Sequence, residues 1–213
     1  MLRSVLLLLA ALFWLASSAM GQVLFDPDTG LDGWTERSAK GKTDFSITEE
    51  GLRATTNDSA SIVERTIELD MQRSPQISWQ WRVDERHESA DIRIKGKDDM
   101  AAALIFVFGK PSLINRPKTL IYVWANDAVE QGDFIDSPRT DKIKYVVLRA
   151  GEAPLGDWMS ETRNIAADFE TAFGEPAPRY ARRLCFFTDG DQTGERATAY
   201  YGPVSAIYSD EGS

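Results

Sequence analysis

The sequence is poor in the residues that build zinc sites and nucleophilic triads, since it holds one cysteine, Cys185, and one histidine, His87. Such sites need clusters of histidine or cysteine, so we expect neither. A single cysteine also cannot form a disulfide within the chain. The apolar stretch around Cys185 predicts a buried strand in which the free thiol packs as a small hydrophobic side chain.

Positive charge is also scarce. The chain has 24 lysine and arginine residues against 33 aspartate and glutamate residues, which gives a net charge of −9 at pH 7. No basic cluster in the sequence interrupts this acidic balance. Nucleic acids and anionic membrane surfaces attract basic proteins, so we expect neither as a partner. The sequence does not indicate an oligomeric state.

Long hydrophobic runs are limited to one N-terminal segment, Val5–Leu15. This run is shorter than the roughly 20 residues that a membrane-spanning helix needs. Arg3 precedes it and small residues follow it, as in a secretory signal peptide; an uncleaved N-terminal anchor is the alternative. We therefore predict a signal peptide over residues 1–21, a single domain without a membrane span over residues 22–213, and a periplasmic or secreted protein.

Alternation between apolar and polar residues marks the clearest strands. Residues 61–69 and 77–83 each place their apolar side chains on one face, which is typical of half-buried strands. Trp79 and Trp81 share the apolar face of the second strand, which predicts two core rings; an outward sugar-stacking platform is the alternative. Residues 100–108 are almost wholly apolar and predict a strand buried on both faces.

One helix and further short strands complete the predicted fold. Ile165, Phe169 and Phe173 recur at helical spacing, after Asn164 or Thr162 as a cap and before Gly174. The other strands are predicted at residues 23–25, 45–47, 52–54, 91–94, 120–124, 143–148, 184–188 and 197–208. About ten short strands favour an all-β fold, an antiparallel β-sandwich of jelly-roll type, over the alternative of a β-barrel.

A loop with closely spaced oxygen ligands joins the last two predicted strands. Asp189, Asp191 and Thr193 match positions one, three and five of a calcium loop, and Gly194 matches position six. Position twelve is Tyr200, where a glutamate is expected, so the loop is not an EF-hand. Ca²⁺ would need further oxygens from other loops. The alternative is a hairpin turn, in which these residue types serve the backbone.

Residues that suit a sugar or another small polar ligand follow several strand ends. Aromatic rings stack on the C–H faces of sugars, while amide, arginine and carboxylate groups bind the hydroxyls. The alternatives are that the rings lie in the core and that Arg163 forms a structural ion pair with Asp168. The candidate ligand-binding residues are Asp98, Asp99, Trp124, Asn126, Arg163, Asn164 and Tyr200.

Asp98 and Asp99 are chain neighbours that precede the most apolar strand. Neighbouring residues of a strand point to opposite faces, so at most one of the two faces any given site. Either could supply a missing oxygen to the acidic loop. A pair such as Asp99 and Asp191 could also cleave a glycosidic bond at a separation of about 5 to 9.5 Å, which makes a polysaccharide-cleaving enzyme an alternative function.

Several short motifs occur in a characteristic order. They include Trp79-Gln80-Trp81-Arg82-Val83, Tyr122-Val123-Trp124-Ala125, Gly156-Asp157-Trp158 and Ala199-Tyr200-Tyr201-Gly202. In order and spacing they resemble the bacterial domain-of-unknown-function family 3047, over about residues 23–208. The resemblance implies an exported bacterial domain of β-rich fold with no assigned activity.

These observations favour an exported, non-catalytic β-sandwich that binds a glycan or another small polar ligand and holds one structural Ca²⁺. Its candidate ligands for the ion are Asp189, Asp191 and Thr193. The first alternative is the polysaccharide-cleaving enzyme with paired aspartates. The second is an accessory protein of the cell envelope that binds no small ligand.

Overall fold

The computed structural model of the protein describes residues 21–109 and 116–208. The predicted signal peptide lies outside these ranges, apart from its last residue, Gly21. Within them, no helix is long and apolar enough to cross a membrane. The described chain forms thirteen strands and one α-helix.

The elements have the following bounds. The single α-helix of the described residues, α1, spans Ile165–Phe173, and short 3-10 helices span Pro27–Thr29 and Met71–Arg73. The strands are β1 (Gly21–Phe25), β2 (Thr35–Lys40), β3 (Asp44–Thr48), β4 (Gly51–Asn57), β5 (Ala60–Asp70), β6 (Gln76–Glu85), β7 (Ala102–Phe108), β8 (Lys118–Trp124), β9 (Phe134–Asp136), β10 (Ile143–Arg149), β11 (Met159–Asn164), β12 (Tyr180–Asp189) and β13 (Arg196–Ile207).

The strands form two sheets. The first has six strands in the order β11-β6-β13-β4-β3, and β1 also pairs with β13. The second has seven strands in the order β2-β5-β12-β7-β8-β10-β9. Neighbouring strands are antiparallel except β8 and β10, which run parallel. The predicted antiparallel β-sandwich of jelly-roll type is confirmed, and the β-barrel alternative is wrong because neither sheet closes on itself within the described residues.

The core between the sheets explains the alternation in β6. Ile77, Trp79, Trp81 and Val83 all lie in it, and none of them is more than 3% exposed. The prediction that both tryptophans are core residues is confirmed, and an outward platform made of these two rings is wrong. The core continues into the second sheet, where the ring centroid of Trp124 lies 5.8 Å from that of Trp81.

Strand β7 is buried on both faces, as its apolar run predicts. Phe106 faces the core between the sheets, whereas Ala103 and Ile105 belong to a second apolar cluster. Ile92, in the loop before β7, packs in this second cluster, so loops cover the outer face of the second sheet. The outer face of the first sheet instead carries exposed polar side chains such as Gln80.

The helix follows its predicted signals. Asn164 caps α1, and its side-chain oxygen accepts a hydrogen bond from the backbone N of Ala167 at 3.1 Å. Gly174 ends the helix in the left-handed conformation, with φ at 68°. Ile165 and Phe169 are fully buried, which anchors the helix to the sandwich.

Three strands and one turn differ from the predicted elements. Strand β2 is exposed along its whole length, and β9 and β11 have no buried residue, so none of them shows an apolar period. Residues 91–94 form a turn rather than a strand. The Asp91 side chain accepts a hydrogen bond from the backbone N of Arg93 at 3.0 Å, and its carbonyl accepts one from Ile94, which holds the turn closed.

Candidate functional site

Three aspartates meet at one end of the second sheet. Asp189 ends β12, Asp191 follows it in the acidic loop, and Asp99 precedes the neighbouring strand β7. One carboxylate oxygen of each lies within 4.8 Å of the other two. Because β7 and β12 are antiparallel, the end of β12 lies beside the start of β7. Of the two neighbours Asp98 and Asp99, only Asp99 belongs to this group.

Backbone and hydroxyl donors hold Asp99 in place. Its carboxylate accepts hydrogen bonds from the backbone N of Gln192 at 3.1 Å, the backbone N of Thr193 at 2.7 Å and the Thr193 hydroxyl at 2.6 Å. Thr193, a predicted metal ligand, therefore orients Asp99. Asp99 is 2% exposed, so a polysaccharide has no access to it, and the geometry does not support cleavage by Asp99 and Asp191.

Gly190 lets the acidic loop turn back on itself. A Cβ atom at this position would overlap the backbone oxygen of Glu195. The backbone N of Gly194 donates to the Gly190 carbonyl at 3.0 Å and closes the turn. The loop is thus a tight connection between β12 and β13 that also carries two acids. A hairpin turn and a cation-binding loop, the two interpretations of its sequence, are therefore compatible.

Burial raises the pKa of Asp189 well above its ordinary value. Loss of water is the largest cause, and the negative charges of Asp99, Asp191 and Asp98 act in the same direction, against a hydrogen bond from the Met100 backbone. Like charges removed from water are unstable unless a proton or a cation compensates them. Asp99, Asp189 and Asp191 could therefore hold a metal ion.

Two other polar side chains border these aspartates. Lys40 Nζ lies 2.6 Å from the Asp58 carboxylate and 3.3 Å from the backbone oxygen of Asp191. His87 is 2% exposed, and its Nε2 has no hydrogen-bond partner among the described residues. A Cβ atom at Gly190 would lie 3.1 Å from this nitrogen. The charged neighbours of His87 in the sequence gave no signal of its burial.

Three further predicted ligand-binding residues lie near the same end of the second sheet, and each of them makes contacts within the protein. Asp98 is buried and binds the Arg139 guanidinium through both carboxylate oxygens. Asn126 donates to backbone oxygens at residues 88 and 90 and closes that loop. Trp124 is fully buried, and its ring packs in the core between the sheets, as the alternative for these rings expects.

Arg163 and Asn164 organise the start of α1. Arg163 binds both oxygens of Asp168, at 2.8 and 2.5 Å, and the Tyr122 hydroxyl donates to the same carboxylate at 2.7 Å. The structural ion pair considered as an alternative for Arg163 is therefore formed. Asn164 is the helix cap. The structure thus gives both residues local roles and does not bring them to the three aspartates.

Tyr200 lies on the outer face of the first sheet, beside a charged residue of β6. The Arg82 guanidinium carbon is 4.1 Å from the centroid of the Tyr200 ring and 5.4 Å from that of Trp158. Arg82 also binds Glu50, at 2.7 and 3.2 Å, and Asp84, at 2.7 and 3.2 Å. Arg82 donates hydrogen bonds to these carboxylates, and these bonds, the one to Glu50 first, raise its pKa and make it a fixed positive centre between two rings.

Trp158 forms one side of a groove on the outer face of the first sheet, next to Arg82. A Cβ atom at Gly51 would lie 3.7 Å from its Cη2, and one at Gly202 would lie 3.6 Å from its Cζ3, so the indole covers two bare backbone positions. The residue is 36% exposed. The groove has a volume of about 490 Å³, and its other lining residues include Gln80, Pro203, Asp26, Asp28, Glu49 and Glu50.

The groove joins segments that lie far apart in the sequence. Met159 of β11 pairs with Trp81 of β6, and this pairing brings Trp158 beside Arg82. Local patterns do not reveal strand order, so Trp158 could not be placed from the sequence. The available signal was the polar face of β6, where Gln80 and Arg82 alternate with core residues.

Comparisons with known proteins give one family and several similar folds. The model of the family described as "Protein of unknown function (DUF3047)" matches residues 32–205. No curated protein matches the sequence. The family 11 carbohydrate-binding module from Clostridium thermocellum, solved in complex with a beta-1,3-1,4-mixed-linked tetrasaccharide, is 11% identical with a TM-score of 0.50, covering 91% of this chain and 98% of that chain. The xyloglucanase domain of NopAA from Sinorhizobium fredii, in complex with cellobiose, is 9% identical with a TM-score of 0.47, covering 84% and 95%.

Proposed function

The chain belongs to the DUF3047 family, as its motifs predict, and we propose that it is a non-catalytic protein that binds a glycan in the groove beside Trp158. The observation that carries this proposal is the position of the indole. Its ring covers the backbone at Gly51 and Gly202, and 36% of the residue is open to solvent. An aromatic ring kept at the surface above a flat part of a sheet is available to a ligand.

The groove combines the features that a sugar requires. The indole offers an apolar surface to the C–H face of a sugar ring. Gln80 and the carboxylates of Asp28 and Glu49 supply donors and acceptors for its hydroxyls. Small-ligand sites have volumes of about 300 to 1,000 Å³ and join apolar walls to a few polar groups. The groove, at about 490 Å³, falls in this range.

The similar fold supports a glycan over other polar ligands. The family 11 module, which shares the sandwich, is described with a bound tetrasaccharide. At 11% identity the likeness concerns the fold, so no ligand-binding residue is carried over from it. Asp99, one of the two aspartates that the enzyme alternative needs, is buried, which supports binding without catalysis.

We also propose a structural Ca²⁺ at Asp99, Asp189 and Asp191. Ca²⁺ takes six to eight oxygen ligands, and carboxylates and backbone carbonyls are its usual protein donors. These three side chains fit because Asp189 is buried among like charges, which a divalent cation would compensate. Compared with the set read from the loop alone, Asp99 takes the place of Thr193, whose hydroxyl already donates to Asp99.

We propose that the protein is exported and works in the periplasm or outside the cell. The support is the N-terminal sequence, in which Arg3 is followed by the apolar run Val5–Leu15 and then by small residues. The mass of the protein recovered from its native host tests this, since removal of residues 1–21 or 1–19 is expected. Recovery of the uncleaved chain would contradict it.

A glycan array with matched variants tests the binding proposal. Trp158→Ala should weaken binding of every glycan that the wild-type protein retains by at least about tenfold, since a central aromatic contact is removed. Phe134→Ala is the control, because Phe134 is 39% exposed but lies on β9 of the other sheet. Silence of the wild-type protein across the array would contradict the proposal and favour an accessory protein without a small ligand.

A further inference from the structure

We infer that the groove selects glycans that carry free, protonated amino groups over neutral and acidic glycans; the inference rests on the proposed glycan binding. The observation behind it is the charge of the groove. Four lining residues are acidic, namely Asp26, Asp28, Glu49 and Glu50, and none of the described lining residues is basic. Arg82, beside Trp158, is ion-paired with Glu50 and Asp84, so a ligand in the groove meets a field that is negative on balance.

The acidic side chains are held at the groove by two turns with internal hydrogen bonds. Asp26 caps the 3-10 helix Pro27–Thr29, and one of its carboxylate oxygens accepts from the backbone N of Asp28 at 3.0 Å. Glu49 and Glu50 form the turn between β3 and β4. There the backbone N of Glu50 donates to the hydroxyl of Thr48 at 3.2 Å. Both turns keep the carboxylates at the rim.

The positive charge nearest the groove, that of Arg82, is already paired with carboxylates. Arg82 uses Nε and both terminal nitrogens on Glu50 and Asp84, so one positive charge is shared by two negative ones. No salt bridge to Asp28 or Glu49 occurs among the described residues. An acidic sugar would therefore bring its carboxylate or sulfate beside unpaired acids without a free cation to receive it.

An amino group on a sugar suits this arrangement. A protonated amine has three donors and no acceptor, which matches a rim made of acceptors. Its hydrogen bonds to carboxylates are charge-assisted and stronger than those of a neutral hydroxyl. The C–H face of the same sugar can still stack on Trp158. An acetylated amine keeps the ring but loses the charge, so the same polymer in its acetylated form should bind less tightly.

Calorimetric titration of the full chain with two tetramers tests the inference. A glucosamine tetramer and its N-acetylated counterpart share the sugar ring and the linkage and differ in charge. At about pH 5.5 and about 20 mM NaCl, we expect the glucosamine tetramer to bind at least about tenfold more tightly. Because salt screens exposed charges, this preference should shrink to about threefold at about 0.5 M NaCl.

Charge-removing variants locate the effect. Asp28→Asn combined with Glu49→Gln removes two charges from the rim and should bring the two tetramers within about threefold of each other. Glu68→Gln combined with Asp136→Asn removes two charges from the second sheet and should retain the full preference. Trp158→Ala should weaken both tetramers, since stacking serves each of them.

Each other outcome has a definite meaning. Tighter binding of the acetylated tetramer or of polygalacturonate would overturn the inference and leave glycan binding intact. An oligolysine peptide that binds as tightly as the glucosamine tetramer, without loss in Trp158→Ala, would also overturn it, because the groove would then attract any cation. Failure of neutral, acidic and amino glycans alike would overturn both the inference and the proposed function.

Discussion

The indole of Trp158 lies across Gly202, with Cζ3 3.6 Å from the position that a Cβ atom would take there. The same Cβ atom would lie 3.3 Å from the Cβ of Gln80 on the neighbouring strand. Because Gly202 has no side chain, the outer face of the first sheet is flat at this position, and the indole ring lies over it. The surface position of Trp158 therefore depends on the absence of a side chain at Gly202.

A side chain at position 202 should displace the indole ring of Trp158. Gly202→Val is expected to weaken glycan binding by about tenfold, because valine suits a strand but takes the space beneath the indole. The midpoint of thermal unfolding should fall by only about 2–4 °C, since the indole can move into solvent and the Cβ of Gln80, 3.3 Å from the new Cβ atom, has to shift slightly. Calorimetric titration and thermal unfolding measure the two effects. Thr198→Val, on the same face of β13, is the control, and unchanged binding in Gly202→Val would contradict the account.

Gly51 should be less replaceable than a glycine of similar backbone conformation elsewhere. Its φ is 121°, and a Cβ atom there would lie 2.6 Å from the Tyr201 oxygen; Gly132 has φ of 97° and nothing within 4 Å. Backbone strain alone costs about 1–3 kcal/mol, so Gly132→Ala should lose that much stability. Gly51→Ala should lose at least about 1 kcal/mol more in urea denaturation. Equal losses would show that the close contact is absent.

Calcium should stabilise the fold through the three aspartates. A ligand that binds only the folded state, at a free concentration of about a hundred times its Kd, raises the free energy of unfolding by about 2.7 kcal/mol. Ca²⁺ should therefore raise the melting temperature, and a chelator should lower it. Asp189→Asn should remove most of this response, whereas Asp58→Asn, at an exposed site beside Lys40, should keep it. The same melting temperature in calcium and in chelator would refute the ion site.

His87 should make the protein less stable in acid. Burial lowers its pKa below the ordinary value of 6.5, against the opposing charges of Asp99, Glu195 and Glu85. The folded state therefore resists protonation, so the free energy of unfolding should be highest above pH 6.5 and fall as the pH drops from 6.5 toward the lowered pKa.

A matched variant isolates this effect. The chain has one histidine, so the difference between wild-type and His87→Gln urea curves, measured from about pH 8 to about pH 5, reports that side chain. Asp189, whose pKa is raised, titrates in both proteins and cancels in the difference. Parallel curves over the whole range would contradict the prediction.

Much of the fold could be predicted from local patterns. Strand β6 alternates because one of its faces lies in the core, and β7 is apolar throughout because both of its faces are covered. Asn164 and Gly174 mark the ends of the helix through their capping roles. Strand β2 could not be found in this way, since it is exposed and is held by its pairing with β5.

The candidate sites were less predictable because they join distant segments. The backbone N of Met100 donates to Asp189 at 2.8 Å, a contact that exists only because β7 and β12 are neighbours. Trp158 reaches Gly202 only because β11, β6 and β13 lie side by side. Trp124 illustrates the same limit, since an aromatic residue at a strand end has the same local pattern whether it faces the core or a ligand.

The most direct test of the groove is the indole N–H signal of Trp158 in two-dimensional NMR, assigned with Trp158→Phe and followed during titration with a glycan that the protein retains. Trp79, Trp81 and Trp124 are at most 3% exposed, whereas Trp158 is 36% exposed. The account predicts that the Trp158 signal shifts and saturates with the ligand, while the three buried indoles stay in place. Saturable binding that leaves Trp158 unmoved would contradict it.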